Sequence, residues 1–306
     1  MKKTIFSLSM MFFSLMTWAQ PQGFGQAGPE PDWKDVNYAG DEMEAHRLDI
    51  YLPKDGRDKH KVVVAIYGSA WFSNNMKSMA YMSIGKPLTE AGFAVVCINH
   101  RSSSDAKYPA QINDVKGALR FIRANADKYK LDTSFIGITG FSSGGHLSSM
   151  AGVTNGMKSH TIGEKTIEVE GYVGGNNKFS SNVDAVVDWF GPIDMTRMNN
   201  CETVKDANSP EAALIGGNPA DNMDIMQLSS PYFYVSKSTV PFVVIHGDAD
   251  NVVPYCQSVY FSEELKKNGK LADFITVSGG QHGPVTFNDD TFKKMVDFFK
   301  KEAKMK

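Results

Sequence analysis

The sequence predicts an α/β fold with a mostly parallel central sheet and helices on both faces of that sheet. Short runs rich in valine, isoleucine and phenylalanine recur along the chain, and several of them show no apolar–polar alternation. Continuous apolar runs are typical of strands that are covered on both faces. Segments suited to helices separate these runs, as expected when neighbouring strands are parallel. The predicted strands span residues 48–52, 61–68, 94–99, 135–139, 184–191, 241–247 and 273–277.

Two of the intervening segments have a clear helical period. Residues 109–127 place Pro109 in the first turn and carry apolar side chains on one side, and a last helix begins near Asp289. Residues 153–182 and 195–231 break this rhythm because they are polar, glycine-rich or irregular. Long segments of this kind form either surface loops or the rim of a site.

Length and composition indicate one large domain. The chain has 306 residues, of which 42% are hydrophobic and 22% are charged, which is an ordinary globular balance. The net charge is −2 and no dense stripe of lysine and arginine occurs, so a role in binding nucleic acid has no electrostatic support. We assign residues 34–306 to a single α/β domain.

The first residues have the features of a secretory signal peptide. Two lysines precede an apolar stretch, residues 5–16, and Ala19 ends a small-residue cleavage site. The apolar stretch is short for a membrane span, which needs about 20 residues. Residues 1–19 are therefore predicted to be removed, and residues 20–33, rich in glycine, proline and glutamine, to form a flexible leader. The mature protein is expected in the periplasm or outside the cell, without a membrane span.

The chain has three cysteines. An exported protein forms disulfides readily, but an odd number leaves at least one thiol free or paired with another chain. Cys97 lies in an apolar run and is expected to be buried. A bond between Cys201 and Cys256 is one of the pairings that the sequence leaves open.

A glycine-flanked serine follows the strand predicted at residues 135–139. The spacing from Gly140 to Gly144 matches G-x-S-x-G, in which the serine occupies a sharp turn between a strand and a helix. Glycines flank the serine because a side chain there would collide with neighbouring backbone. The turn exposes Ser142 at the carboxyl edge of the sheet, where ligands bind in open α/β folds. Ser142 is therefore the predicted nucleophile.

A serine hydroxyl needs a base to take its proton and an acid to orient that base. In enzymes built around such a turn, the acid and then the histidine follow the serine along the chain. His282 is the only histidine after the aspartates that end the strand PFVVIHG, and it lies in a loop rich in glycine. The predicted triad is Ser142, Asp250 and His282. Asp194 is the second candidate acid, and Asp248 is the third and is expected to brace the turn.

The other histidines are expected to pack beside the site or to lie at the surface. His146 is expected to support the helix that follows the serine, and His246 to be packed at the end of its strand. His100 or the adjacent Arg101 is expected to line the cleft. The histidines expected at solvated positions are His46, His60 and His160.

The oxygen that becomes negative during attack by a serine needs N–H donors. One donor is expected to be the N–H of Ser143, and the other to come from the loop after the strand KVVVAIYG. We assign that donor to Ala70, with Ser69 as its neighbour. The aromatic residues of this loop are candidate contacts for a sugar ring or a cinnamoyl group, although Trp71 fits a packed core equally well. They are Tyr67, Trp71 and Phe72.

These motifs resemble those of the α/β-hydrolases, in the group of bacterial esterases related to hormone-sensitive lipase, and in particular the exported acetylxylan and feruloyl esterases. Five stretches carry the resemblance over nearly the whole mature chain. They are LDIYLP (48–53), IYGSAW (66–71), the segment 108–132 leading to GFSSGGHL, VVDWFGPID (186–194) with SPEAALIGG (209–217), and HGDADNVVPYCQS (246–258) with QHG (281–283). The family usually has His-Gly-Gly-Gly-Trp where this chain has Tyr-Gly-Ser-Ala-Trp.

The resemblance implies an α/β-hydrolase domain over residues 34–306 that cleaves acetyl or feruloyl esters of plant polysaccharide or oligosaccharide through an acyl-enzyme. It implies the same triad that the spacing selects, and no metal or organic cofactor, in line with the absence of any zinc-binding spacing. One alternative is a serine peptidase related to prolyl oligopeptidase, although such enzymes usually carry a large extra domain. The other is a non-catalytic glycan-binding protein, against which the complete triad argues.

Overall fold

Strands and helices alternate along the part of the chain that the structure, a computed structural model, describes: residues 28–203 and 206–305. The strands are β1 (Trp33–Asn37), β2 (Arg47–Tyr51), β3 (His60–Ile66), β4 (Ala94–Ile98), β5 (Leu131–Phe141), β6 (Ser159–Ile162), β7 (Lys165–Glu168), β8 (Ala185–Trp189), β9 (Phe242–Gly247) and β10 (Leu271–Val277). The helices are α1 (Lys77–Ala80), α2 (Lys86–Glu90), α3 (Ala110–Ala124), α4 (Ser143–Val153), α5 (Pro210–Ile215), α6 (Met223–Leu228), α7 (Cys256–Lys267) and α8 (Asp289–Glu302). The predicted signal peptide and most of the predicted leader lie outside the described residues.

Eight of these strands form one sheet in the order β1-β2-β4-β3-β5-β8-β9-β10. The pairs β1–β2 and β2–β4 are antiparallel, whereas every pair from β4 to β10 is parallel. The predicted α/β fold with a mostly parallel sheet is therefore confirmed. Strands β5, β8, β9 and β10 all run in the same direction, so the loops that follow them meet at one edge of the sheet.

Alternate residues of β3 enter two separate cores, one on each face of the sheet. Val62 and Val64 pack with apolar residues of α3, α4 and α7, and Val63 and Ala65 pack with those of α1, α2 and α8. Burial on both faces explains why β3 and its neighbours read as continuous apolar runs. The two layers of helices predicted from the sequence are thus both present.

Three strands were not predicted, and each lacks the apolar pattern that marks the others. β1 has the sequence WKDVN at the edge of the sheet, and it begins inside the segment assigned to the leader. The hairpin of β6 and β7 lies inside the segment 153–182, and its two four-residue strands are largely exposed. Short exposed strands are set by their pairing partners rather than by local periodicity.

The two irregular segments are fixed to the body of the domain by specific contacts. Glu170, in the segment 153–182, pairs with Lys116 and Arg120 of α3, and both of these basic residues are buried. In the segment 195–231, Cys201 forms a disulfide with Cys256 at the start of α7. The structure thus selects the pairing that the sequence left open, and Cys97 is a buried free thiol, as predicted.

Two histidines expected at the surface are buried, so this prediction was wrong. His46 lies between Asp41 and Asp114, with its ring nitrogens 2.6 and 3.2 Å from their carboxylate oxygens. His60 is buried as well, at 2% exposure. Partners such as Asp114 are remote in sequence from His46, and local hydrophobicity gives no sign of them. Within the described residues no helix is long and apolar enough to span a bilayer.

Candidate active site

Ser142 occupies the turn between β5 and α4. Its backbone angles are φ 55° and ψ −127°, a conformation that costs a residue other than glycine on the order of 1–3 kcal/mol. A Cβ atom at Gly140 would lie 2.3 Å from the carbonyl oxygen of Gly144, and one at Gly144 would lie 2.3 Å from that of Ile66. Only glycine fits at either position, which is why the motif needs both.

The three side chains of the predicted triad lie in one hydrogen-bonded series. The Ser142 hydroxyl is 2.9 Å from Nε2 of His282, and Nδ1 of His282 is 2.7 Å from Oδ2 of Asp250. Ser142 follows β5, Asp250 follows β9, and His282 follows β10, so the parallel strands bring them to the same edge. This is the arrangement in which an imidazole can take a proton from a serine while a carboxylate fixes its tautomer.

The Asp250 carboxylate is fully buried and receives several donors. The N–H groups of Val252 and Val253 donate to its Oδ1 at 2.8 and 2.9 Å. Burial by itself would raise the pKa of Asp250, but hydrogen bonds from His246 and His282 outweigh it and hold the pKa well below its usual range. Asp250 is therefore a carboxylate throughout the pH range in which such an enzyme works.

The two alternative acids do not contact a histidine among the described residues. Asp194 accepts hydrogen bonds from the backbone and the hydroxyl of Thr196, next to it in the chain. Asp248 accepts the N–H of Gly279 at 2.6 Å, which links the loop after β9 to the loop after β10. Asp248 therefore braces the turn, as the sequence predicted.

Two of the three predicted oxyanion donors are free to receive a ligand. The N–H groups of Ala70 and Ser143 have no protein acceptor within the described part of the chain. The N–H of Ser69 instead donates to the buried hydroxyl of Ser143 at 2.8 Å. Ser69 therefore positions the loop, and its assignment as a direct donor is corrected.

The loop that carries Ala70 is held in a strained conformation. Ala70 and Trp71 have φ values of 50° and 60°, in the left-handed region. The Trp71 indole N–H donates to Nδ1 of His146 at 3.2 Å, and His146 donates in turn from Nε2 to the carbonyl of Ser229 at 2.8 Å. Burial lowers the pKa of His146 to about 4, so the ring stays neutral and keeps this tautomer at neutral pH. His146 supports the site by hydrogen bonding, as predicted.

A pocket of about 660 Å³ opens over Ser142. Trp71 lines it, although its side chain is only 1% exposed. Tyr67 is wholly buried and donates to the carbonyl of Ser73, and Phe72 is 53% exposed; neither lines this pocket. His100 and Arg101, considered as cleft residues, do not line it either. Of the three aromatic candidates, only Trp71 borders the pocket.

Sequence reasoning did not identify most of the pocket wall. One side comes from the segment 195–231, and no residue of the segment 153–182 contributes. We call this side the 198–211 wall; its members are Met198, Asn199, Asp206, Ser209, Pro210 and Glu211. The signal that was available is Ser-Pro-Glu, because a capping serine followed by proline marks a helix start and places Glu211 in the first turn of α5.

No group of three or more histidine, cysteine, aspartate or glutamate side chains in residues 28–203 and 206–305 is arranged to hold a metal ion. The groups that the structure does bring together at the site are a serine hydroxyl, an imidazole, a carboxylate and backbone N–H donors. These groups suit attack on an acyl carbon.

Comparison with known proteins places this site in a family. The BD-FAE family model matches residues 48–265. A solved structure described as a truncated form of carbohydrate esterase from gut microbiota is 55% identical, with a TM-score of 0.88 over 89% of this chain and 96% of that one. A bifunctional GH43-CE protein of Bacteroides eggerthii is 67% identical, with a TM-score of 0.87 over 89% of this chain and 35% of that one.

Curated relatives give a consistent picture at lower identity. The probable carboxylic ester hydrolase LipM of Mycobacterium tuberculosis (strain ATCC 25618 / H37Rv) is 31% identical over 238 residues, which are 77% of this chain and 52% of that protein. The chain spans about half the length of the curated relatives it matches. The resemblance to esterases that the sequence motifs suggested is confirmed by these matches.

Proposed function

The chain belongs to the BD-FAE family, and on this premise we propose that it is a serine carboxylic-ester hydrolase that removes acetyl or feruloyl groups from plant polysaccharide or oligosaccharide. The observation that carries the proposal is the hydrogen-bonded series from Asp250 through His282 to Ser142. The similarity to a carbohydrate esterase at 55% identity supports a glycan ester as the substrate.

In the proposed mechanism, the Ser142 oxygen attacks the ester carbonyl carbon while His282 takes the hydroxyl proton. The tetrahedral intermediate then collapses, the bond from the acyl carbon to the alcohol oxygen breaks, and His282 gives its proton to the leaving alcohol. A water molecule then gives a proton to His282 and attacks the acyl carbon. The bond from that carbon to the Ser142 oxygen breaks, the carboxylic acid leaves, and His282 returns the proton to Ser142. Asp250 holds the imidazole in the required tautomer and stabilises its protonated form.

The negative oxygen of the intermediate is proposed to bind the N–H groups of Ser143 and Ala70. Both belong to turns that are already held in strained conformations, so the donors need not reorganise when the charge forms. Loss of one such donor typically costs about 3 kcal/mol of transition-state stabilisation. No metal or organic cofactor enters this mechanism.

The experiment compares the protein without residues 1–19 with its Ser142→Ala variant. Each is assayed on 4-nitrophenyl acetate, acetylated xylo-oligosaccharide and feruloylated oligosaccharide. We expect hydrolysis of the aryl ester and of at least one carbohydrate ester, with kcat lower by on the order of 10³-fold or more in the variant. Turnover of peptides alone would assign the site to a peptidase, and binding of glycans without turnover would leave a non-catalytic module.

We also propose that the protein is exported to the periplasm or the medium after removal of residues 1–19. The segment carries the charge and hydrophobicity of a signal peptide but lies outside the described residues. The bond between Cys201 and Cys256 supports an oxidising compartment. N-terminal sequencing of protein recovered from the periplasm and the medium tests the proposal. A chain that retains Met1 inside the cell would contradict it.

A further inference from the structure

Glu211 is a buried carboxylate that borders the catalytic pocket. It is only 6% exposed, yet it lines the same pocket as Ser142 and Ser143. It does not cap its own helix, because the Ser209 hydroxyl accepts the N–H of Ala212 there. The structure of α5 therefore gives no reason for a glutamate at this position.

The Glu211 carboxylate has no strong partner in the protein. No lysine, arginine or histidine of residues 28–203 and 206–305 forms an ion pair with it. Burial raises the pKa of this carboxyl, and its own N–H and the Ser209 hydroxyl act against that rise. The Glu211 oxygens are not among the fully enclosed polar atoms that lack a partner, so they reach the pocket and can accept a hydroxyl donor from a ligand there.

The rest of the pocket defines which ligand could supply those donors. Apolar side chains of Pro192, Val252 and Val253 line the same pocket as the carboxylates and the amide of the 198–211 wall. A sugar ring has apolar C–H faces and a rim of hydroxyl donors, so it matches both kinds of surface. An anionic sugar would meet two carboxylates, Glu211 and Asp206, and is disfavoured.

We propose that Glu211 accepts a hydrogen bond from a ring hydroxyl of the neutral sugar that bears the ester, and so selects glycan esters over esters of simple alcohols. This inference rests on the esterase activity proposed above. It assigns Glu211 to specificity and leaves the proton transfers to Ser142 and His282. A site built to bind a hydroxyl discriminates strongly against an analogue that lacks it, because the protein group is then left unpaired.

The test measures kcat/KM for an acetylated methyl xyloside and for 4-nitrophenyl acetate in the wild type, Glu211→Gln and Glu211→Ala. We expect the ratio of the xyloside value to the aryl value to fall at least tenfold in Glu211→Ala and less in Glu211→Gln, whose amide keeps an acceptor oxygen. Asp221→Ala is the control from the same segment, 195–231. Its carboxylate is exposed and does not line the pocket, so its ratio is expected to stay within about twofold of the wild type.

A second measurement needs no variant that might fail to fold. Acetylated xylosides that each lack one ring hydroxyl are compared in the wild type, and one of them is expected to lose at least tenfold in kcat/KM. That loss should disappear in Glu211→Ala and become smaller in Glu211→Gln. An unaltered ratio in Glu211→Ala, or equal losses on both substrates, would overturn the inference while the esterase function stands. Failure of the wild type to hydrolyse either ester would refute the esterase function itself.

Discussion

His246 contacts the same oxygen of Asp250, Oδ2, that His282 contacts. Nε2 of His246 lies 3.2 Å from Oδ2 of Asp250 and 3.1 Å from the carbonyl oxygen of Val253, which can only accept. Nε2 therefore carries the proton, and Nδ1 accepts from the Ser258 hydroxyl at 2.7 Å. Two imidazoles thus approach one oxygen of the proposed catalytic acid, and of the two only His282 contacts the nucleophile.

Removing this second imidazole is expected to slow the reaction without weakening substrate binding. His246→Phe keeps a ring in the buried space but removes a donor that lowers the pKa of Asp250. We expect kcat to fall about tenfold and KM to stay within about twofold. An unchanged kcat would reduce His246 to a packing residue. Ser258→Ala, which removes the hydroxyl that donates to Nδ1 of His246, should show the same trend more weakly.

The choice between the two candidate acids can be decided by matched amide variants. Asp250→Asn is expected to lower kcat by about 10⁴-fold, because the amide no longer fixes the working tautomer of His282. Asp194→Asn should change kcat by less than about tenfold, since Asp194 bonds locally to Thr196. The reverse order of effects would move the catalytic acid to Asp194.

The Ser143 hydroxyl is expected to matter separately from its backbone N–H. Ser143→Ala keeps the proposed backbone donor but removes the acceptor of the Ser69 N–H, and so frees the loop that carries Ala70. We expect kcat to fall about tenfold with little change in KM. Ser148→Ala is a control in the same helix, because its buried hydroxyl donates to the Gly144 carbonyl one turn earlier and has no other partner in residues 28–203 and 206–305. Equal kcat values for wild type and Ser143→Ala would remove the loop from the mechanism.

The three residues of the proposed triad could be selected from the sequence, and the structure brings their side chains into contact, because each lies in a local pattern. Ser142 lies in a glycine motif whose spacing is fixed by close backbone contacts. Asp250 and His282 follow apolar runs that are recognisable as strands, and the order along the chain leaves few alternatives. The same local signals predicted the parallel strands that carry these residues.

The features of the site that the sequence did not predict depend on contacts between residues far apart in the chain. Ser-Pro-Glu predicts a helix start, but no local pattern shows that Glu211 borders a pocket above Ser142. Likewise, no local pattern shows that the N–H of Ser69 is already bound to Ser143. The role of Tyr67 was misjudged for a related reason. An aromatic side chain at the start of a loop can line a site or pack in a core. The structure shows that Tyr67 is wholly buried in the core.

Asp188 of β8 is expected to make stability depend on pH. Its Oδ1 accepts the N–H of Gly191, whereas its buried Oδ2 has no partner among the described residues. Burial raises the pKa of Asp188 to about 7, against about 3.9 for an unfolded chain. The folded state therefore binds more protons between these values, and the free energy of unfolding falls by up to about 1.4 kcal/mol per pH unit as pH rises through this window.

Asp188→Asn should remove this dependence while keeping the acceptor for Gly191. We expect the variant to melt several degrees above the wild type at pH 8, and the difference to vanish near pH 4. Thermal unfolding of both proteins between pH 4 and pH 8 measures it. A difference that is constant across this range would mean that Asp188 does not titrate in the window.

The disulfide between Cys201 and Cys256 is expected to support both the stability and the specificity of the site. It closes a loop with a sequence separation of 55 residues and ties the 198–211 wall to the start of α7. The entropy of closing a loop of that length corresponds to a stabilisation of about 4 kcal/mol as an upper value.

The double variant Cys201→Ser, Cys256→Ser should therefore melt at lower temperature, and its kcat/KM for an acetylated xyloside should fall more than its kcat/KM for 4-nitrophenyl acetate. The aryl ester is less affected because the donors that hold Asp250 are the backbone groups of Val252 and Val253 rather than the wall. Reduction of the disulfide in the wild type should reproduce both effects. Equal losses of kcat/KM on the two esters would show that the bond supports the loop that carries Asp250 instead.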